Sequence, residues 1–282
     1  MAQSLTSSEV QPGDWYLGFG ISGEVVQRGD LAIKRPMRYD VSNLSPSRRN
    51  ELEYFMESAA STIRDEKKIY HHLGRHNRII TAWYDLESED PIITMPCMTN
   101  GSLQDYLLRN KPAEDLQTAW ARAFAEAVAY CHKKNVLIAD IGSRNCLLDA
   151  DFSLKLCDFG ISVIIDPDIN IAEANYNGVT VRTDIAQFGV VLYEICTGEV
   201  LNHGGRRGPH FEEIISEDGC DSNSENGGDA NLQSGWPEIN NLPSTEGIRF
   251  GEIIRKCWTK TYWCIEQVVT DLAQLPSVHL EP

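Results

Sequence analysis

Basic side chains are scarce in this chain: 25 Lys and Arg stand against 41 Asp and Glu, leaving a formal net charge of −16 over 282 residues. So acidic a surface is repelled by nucleic-acid backbones and anionic membranes, and neither is expected as a partner. Paired cysteines are missing too. The eight cysteines, at 97, 131, 146, 157, 196, 220, 257 and 264, include no CxxC and no zinc-ligand spacing. Most lie in apolar runs, where a free thiol packs as a small hydrophobe, and this usage fits a reducing compartment. No apolar run approaches the roughly 20 residues of a membrane span. The polar start, Met1 to Glu9, has no apolar stretch of the kind that directs export. The expectation is an intracellular soluble protein, long enough to bury a large core as one domain or two lobes.

What is present changes character along the chain. Residues 15 to 35 read as strand, glycine turn and strand: Gly18-Phe19-Gly20-Ile21-Ser22-Gly23 leads into Glu24-Val25-Val26-Gln27, and Arg28-Gly29-Asp30 turns the chain into Leu31-Ala32-Ile33-Lys34. A polar stretch from 36 to 48 precedes a helical pattern that stops at Leu73-Gly74. Ile79 to Leu86 and Pro91 to Met95 read as two further strands. Helical periods then dominate, over Asp115–His132, 183–197, Ile248–Trp258 and Ile265–Leu275. The acidic residues Glu212, Glu213, Glu217, Asp218, Asp221, Glu225 and Asp229 have no Lys or Arg among them, and the segment from 216 to 235 reads as a disordered acidic insertion. Strands in the first hundred residues and helices thereafter make the class α+β in two segregated lobes, with a cleft between them.

Three constellations carry chemistry. The glycine turn alone also occurs in dinucleotide-binding units, but those need a helix immediately after it, and here an alternating strand pattern follows. Lys34 sits on the next strand. Further on, Asp140 lies five residues before Asn145, and Asp158-Phe159-Gly160 follows. A carboxylate can accept a hydroxyl proton, and oxygen-bearing side chains suit hard magnesium ions beside phosphates.

These spacings resemble the protein kinase superfamily, over roughly residues 14 to 275. The resemblance implies a bilobal fold: an N-lobe of antiparallel sheet plus one main helix over about 14–95, a hinge at 96–100, and a mostly helical C-lobe over 101–275. It implies ATP and Mg2+ as cofactors, a protein substrate, and transfer of the γ-phosphoryl group to a protein hydroxyl; Ser/Thr is expected over Tyr only because that class is the more numerous. Asp140 would be the catalytic base. Lys34 would contact the phosphates, held by Glu66 or, as runner-up, Glu57. Asn145 and Asp158 would hold the metal. Gly18, Phe19, Gly20, Gly23 and Val25 would cover the nucleotide. Ala32, Met95, Pro96, Met98 and Leu147 would surround its base, with a hinge carbonyl at Pro96 and an N–H at Met98. Asp184 with Phe188-Gly189 resembles the helix that anchors the catalytic loop, and Cys257-Trp258 a family marker.

The chain also departs from the pattern. The family's His and Arg before the catalytic Asp are Ile138 and Ala139 here. Ala139 cannot pair with a phosphate on the activation loop, so activation by that route is not expected. The activation segment is short. Its closing motif is at best Ile171-Ala172-Glu173, and the family's Arg partner for that Glu is missing near Tyr262–Ile265. Gly142 stands where Ser/Thr kinases carry Lys, and Arg144 looks more like a tyrosine-kinase loop. The weakened segment leaves two alternatives: a pseudokinase acting as a nucleotide-binding or scaffold module, and a small-molecule phosphotransferase of related fold. His71, His72 and His76 could hint at a metal, but Gly74 interrupts the helix that would align them.

Overall fold

A computed structural model describes residues 13–20, 22–201 and 242–274. The acidic segment 216–235 and Ile21 of the glycine turn lie outside the described residues.

Strands β1 (Trp15–Gly20), β2 (Gly23–Arg28), β3 (Leu31–Arg35) and β4 (Ile93–Pro96) form one antiparallel sheet in that order. Gly29 and Asp30 turn β2 into β3 as a two-residue hairpin, with Gly29 at φ 59°. Gly23 is required where it stands. Its φ is 126°, and a Cβ there would lie 2.1 Å from the Arg35 carbonyl oxygen. The strand expected over 79–86 is not continuous: this run forms strand bridges only at Ile79, opposite Leu156, and at Trp83, opposite Thr94. The Trp83–Thr94 pair exchanges both backbone hydrogen bonds, at 2.7 and 2.9 Å, before the acidic turn pulls the chain away.

Helix α1 (Pro46–Leu73) starts where Ser45 caps it and Pro46 takes its first turn, and stops at Gly74, φ 70°. Its buried stripe, Ala59, Ile63, Glu66, Tyr70 and Leu73, recurs every three or four residues. Two charged residues, Glu66 and Lys67, therefore face inward and must find partners there.

The rest is helical. After the short α2 (Leu103–Leu107), α3 (Glu114–Lys133) buries Trp120, Phe124, Val128 and Cys131. Two small hairpin-like pairs follow: β5 (Val136–Leu137) with β8 (Val163–Ile164), and β6 (Cys146–Leu148) with β7 (Leu154–Leu156). Helix α4 (Val181–Thr197) begins with a reciprocal cap between Thr180 and Thr183 and is buried along most of its length. Helices α5 (Gly251–Trp258) and α6 (Ile265–Gln274) close the lobe. At Gly189, α4 meets α5 so closely that a Cβ would lie 2.6 Å from that of Cys257 and 3.1 Å from the Trp258 ring. The Cys257-Trp258 pair is thus a packing partner of the central helix.

Candidate active site

Lys34 projects from β3 into a nearly water-free position, where Glu66 of α1 and Asp158 meet it. Its Nζ lies 2.7 Å from Glu66 Oε2 and 2.8 Å from Asp158 Oδ1. The first contact is an ion pair rather than an aligned hydrogen bond; the second is both. Burial disfavours the charged lysine, but the two carboxylates outweigh it and hold its pKa above the ordinary value. Burial raises the Glu66 pKa, which Lys34 only partly offsets. Asp158 is enclosed by protein on most sides, which would raise its pKa, but Lys34 wins and lowers it. Its side chain still keeps 41 % of its surface open to the cleft. Glu57, the runner-up, is on the surface paired with Arg64 at 2.9 Å.

The other Glu66 oxygen, Oε1, accepts the Phe159 backbone N–H at 3.2 Å. The Phe159 ring is buried edge-on to Tyr70, with centroids 5.2 Å apart, in the same apolar cluster as Ile138. The adjoining Asp158 takes a left-handed backbone, φ 64°. Gly160 follows closely packed: a Cβ there would be 3.2 Å from Thr62 of α1 and 3.7 Å from Ser22 of the glycine turn. The turn therefore folds down over this loop.

Asp140 and Asn145 form the facing half. Asn145 Nδ2 donates to the Asp140 carbonyl at 2.9 Å and to Asp140 Oδ2 at 3.0 Å. Arg144 pairs with the other carboxylate oxygen, Oδ1. Gly142 makes room for this: a Cβ there would sit 3.0 Å from Arg144 Nη1. The Asn145 carbonyl accepts the Cys157 N–H at 2.9 Å, which joins this half to Asp158. Lys34, Asp140, Asn145 and Asp158 thus belong to one continuous network around one crevice.

The loop carrying Asp140 is held from below by α4. Asp184, fully buried, accepts the N–H groups of Ile138 at 2.8 Å and Ala139 at 2.9 Å, and faces His132 Nε2 at 2.9 Å. Gln187, one turn on, accepts from Ile141 N–H and donates to the Ala139 carbonyl, both at 3.1 Å. Ala139 has φ 68°, a conformation in which a small side chain is least strained. The sequence reading pointed to Asp184 but missed Gln187 and His132. Spacing from Asp184 on one helix face would have exposed Gln187; His132 has no local signal.

Lys67 was missed as well. Its Nζ reaches the carbonyl oxygens of Asp85 at 3.1 Å, Ser88 at 3.4 Å and Asp90, so the turn 85–90 cages the ammonium. Arg64 Nε adds a bond to the Glu89 carbonyl at 3.2 Å. Both cations tie α1 to the sheet next to Glu66.

At the hinge, Met95 lies beneath Tyr70, Pro96 pairs across from Leu31, and the Cys97 N–H bonds the Asp30 carbonyl at 2.8 Å. Ala32 is opposite Met95, Val25 is opposite Lys34, and Leu147 lies on β6. Phe19 and the backbones of Gly18 and Gly20 form the outer edge of the turn. Cys157 is half-buried beside Asp158 and burial of its thiol raises the pKa well above normal, which opposes a reactive thiolate there. Glu173 is exposed and held by Asn170 Nδ2 at 3.2 Å, so it leaves no buried charge unpaired. Arg182 bonds the Lys260 carbonyl and stacks on Trp263, 4.6 Å from the ring centroid.

A family profile described as "Protein kinase domain" matches residues 16–261, and the chain belongs to that family. It is 29% identical over 186 residues to the tyrosine-protein kinase transforming protein Abl of Abelson murine leukemia virus, covering 60% of this chain and 24% of that protein. It is 26% identical to the human tyrosine-protein kinase FRK over 164 residues, covering 51% and 32%. To the receptor-like kinase LIP1 of Arabidopsis thaliana it is 33% identical over 150 residues, covering 45% and 24%. The matched regions span between about a quarter and a third of these relatives' lengths.

Proposed function

We propose that this chain is an active protein kinase, transferring the γ-phosphoryl group of ATP to a protein hydroxyl. The observation that carries this reading is the unbroken network Glu66–Lys34–Asp158 and Asn145–Asp140 around one crevice. The donor set suits magnesium. Asn145 turns its Nδ2 toward Asp140, leaving Oδ1 to ligate, and Asp158 commits one oxygen to Lys34 and has a second. Hard oxygen donors of this kind hold Mg2+ against phosphates. Bound ATP with Mg2+ supplies the transferable phosphoryl group and neutralises charge on it.

The chain's own residues do the rest. Lys34, aligned by Glu66, would contact the α- and β-phosphates. Asp140 would accept the hydroxyl proton, help typically worth about 10²–10⁴ in rate. Arg144, already beside Asp140, offers a charge to the migrating phosphoryl group. The glycine turn, whose Ser22 packs near Gly160, would cover the crevice. Ser or Thr is proposed as the acceptor. The Arg144–Asp140 pair favours a second reading, Tyr as acceptor, and peptide arrays carrying only Ser/Thr or only Tyr separate the two.

The deciding experiment measures Mg2+-dependent nucleotide binding and γ-phosphate transfer to a generic protein substrate, for wild type and Asp140→Asn. Transfer by wild type that is lost in Asp140→Asn, with binding kept, supports the enzyme. Binding without transfer by the wild type makes the chain a pseudokinase.

A further inference from the structure

The ends of α1 and α3 lie side by side and carry a concentration of positive charge that is unusual in so acidic a chain. Contacts between the two helix ends and the following loop make the patch continuous. His72 Nε2 lies 2.6 Å from the Lys134 carbonyl, and His76 stacks on Tyr130 at 4.0 Å. Lys155 Nζ donates to the Asn77 carbonyl at 2.8 Å. Within the patch Arg78 pairs with Glu126. Arg75 and Lys134 have no carboxylate partner among the described residues, and Lys155 has only a weak attraction to Asp151. Helix dipoles account for a cation or two at each helix end, but Arg75 and Lys155 lie outside both helices.

Beside these cations is an open cavity of about 180 Å³, where Tyr70, Ile79, Ile80, Ala82 and Tyr84 form one wall and His71, His76, Thr81 and Arg75 supply polar groups. An apolar cavity of ~150 Å³ accepts a benzene ring, so one aromatic side chain fits here. Cations around a partly apolar socket with two tyrosine walls complement an acidic segment with a single aromatic anchor.

We propose that this face docks an acidic peptide segment of a partner protein, its carboxylates over Arg75, Lys134 and Lys155 and one aromatic side chain in the Tyr70–Tyr84 cavity. The proposal is independent of the catalytic reading, because it concerns binding and not transfer.

Fluorescence anisotropy on the full chain tests it. The probe is a labelled twelve-residue Glu/Asp peptide with one Phe; its Phe→Gly version and a labelled oligouridylate are the controls. The Phe peptide is expected to bind best and to weaken with salt. Arg75→Glu with Lys134→Glu should weaken it about tenfold, and Tyr84→Ala should abolish the preference for Phe over Gly. Lys155→Glu is a second variant, and thermal melts show whether each variant remains folded. The proposal is overturned if folded charge-reversed variants bind within about twofold of wild type, if Phe and Gly peptides bind wild type equally, or if oligouridylate binds more tightly. It is also overturned if the peptide binds only after Glu212, Glu213, Glu217 and Asp218 are neutralised, since the occupant would then be the chain's own segment.

Discussion

Truncating Asp184 should nearly unfold the protein, and the structure sets the scale. The carboxylate is fully buried and serves two backbone N–H groups and His132. Asp184→Ala leaves both amides and the imidazole without this partner. Each buried unsatisfied group costs about 1–3 kcal/mol, so the three together cost roughly 3–9 kcal/mol. Domains of this kind are stable by only about 5–15 kcal/mol. Asp184→Asn keeps one acceptor oxygen but turns an NH2 toward a donor, and should cost roughly half as much. Urea unfolding followed by circular dichroism reads this as a lowered midpoint at unchanged slope. Destabilisation of Asp184→Ala below about 0.5 kcal/mol, a typical surface value, would refute the view that α4 holds the loop through this side chain.

Three further outcomes follow from neighbouring sites. Burial raises the pKa of Glu194, partly offset by the Ser143 hydroxyl, the Leu201 N–H and Arg144. Its carboxylate therefore destabilises the fold once pH exceeds the raised value, and the penalty fades as pH falls to the ordinary Glu range. Glu194→Gln should be more stable than wild type at pH 7.5 and equal to it near about pH 4, by urea unfolding at both pH values; a constant difference counts against this. Lys67→Met removes the ammonium from its carbonyl cage and should cost roughly 1–3 kcal/mol and weaken nucleotide binding. In a Glu66→Gln background it should have no further effect on nucleotide affinity, and additive losses in titrations would show that it acts elsewhere. Gly23→Ala forces a Cβ into the Arg35 carbonyl at a positive φ, and should cost about 1–3 kcal/mol while raising the KM for ATP; an unaltered KM would separate the turn from the nucleotide.

Much of this was legible in the sequence because the chemistry is local. Asp140, Asn145 and Asp158 fall within 19 residues, and the pairing of β6 with β7 brings the ends of that stretch together. Gly74 and Ser45 bound α1, and Gly23 fixes the glycine turn, through backbone needs that single residues reveal. Glu66 over Glu57 was readable from the apolar residues that follow it. What stayed hidden depends on long-range placement. The 79–86 run has strand-like residues, but only two positions find a partner edge. Lys67 carries no local signal of its role, because nothing nearby tells that carbonyls 18 to 23 residues later converge on it. Arg182 takes a place at Lys260 and Trp263 that no family spacing marks.

Glu66 touches both halves of the molecule with one carboxyl group, β3 through Lys34 and the Phe159 loop through a backbone N–H. Swinging α1 outward cannot loosen one grip and spare the other. The helix should consequently move between two seats, engaged or released, rather than drift through a graded series. Whatever presses on its far end would act as a latch instead of a dial.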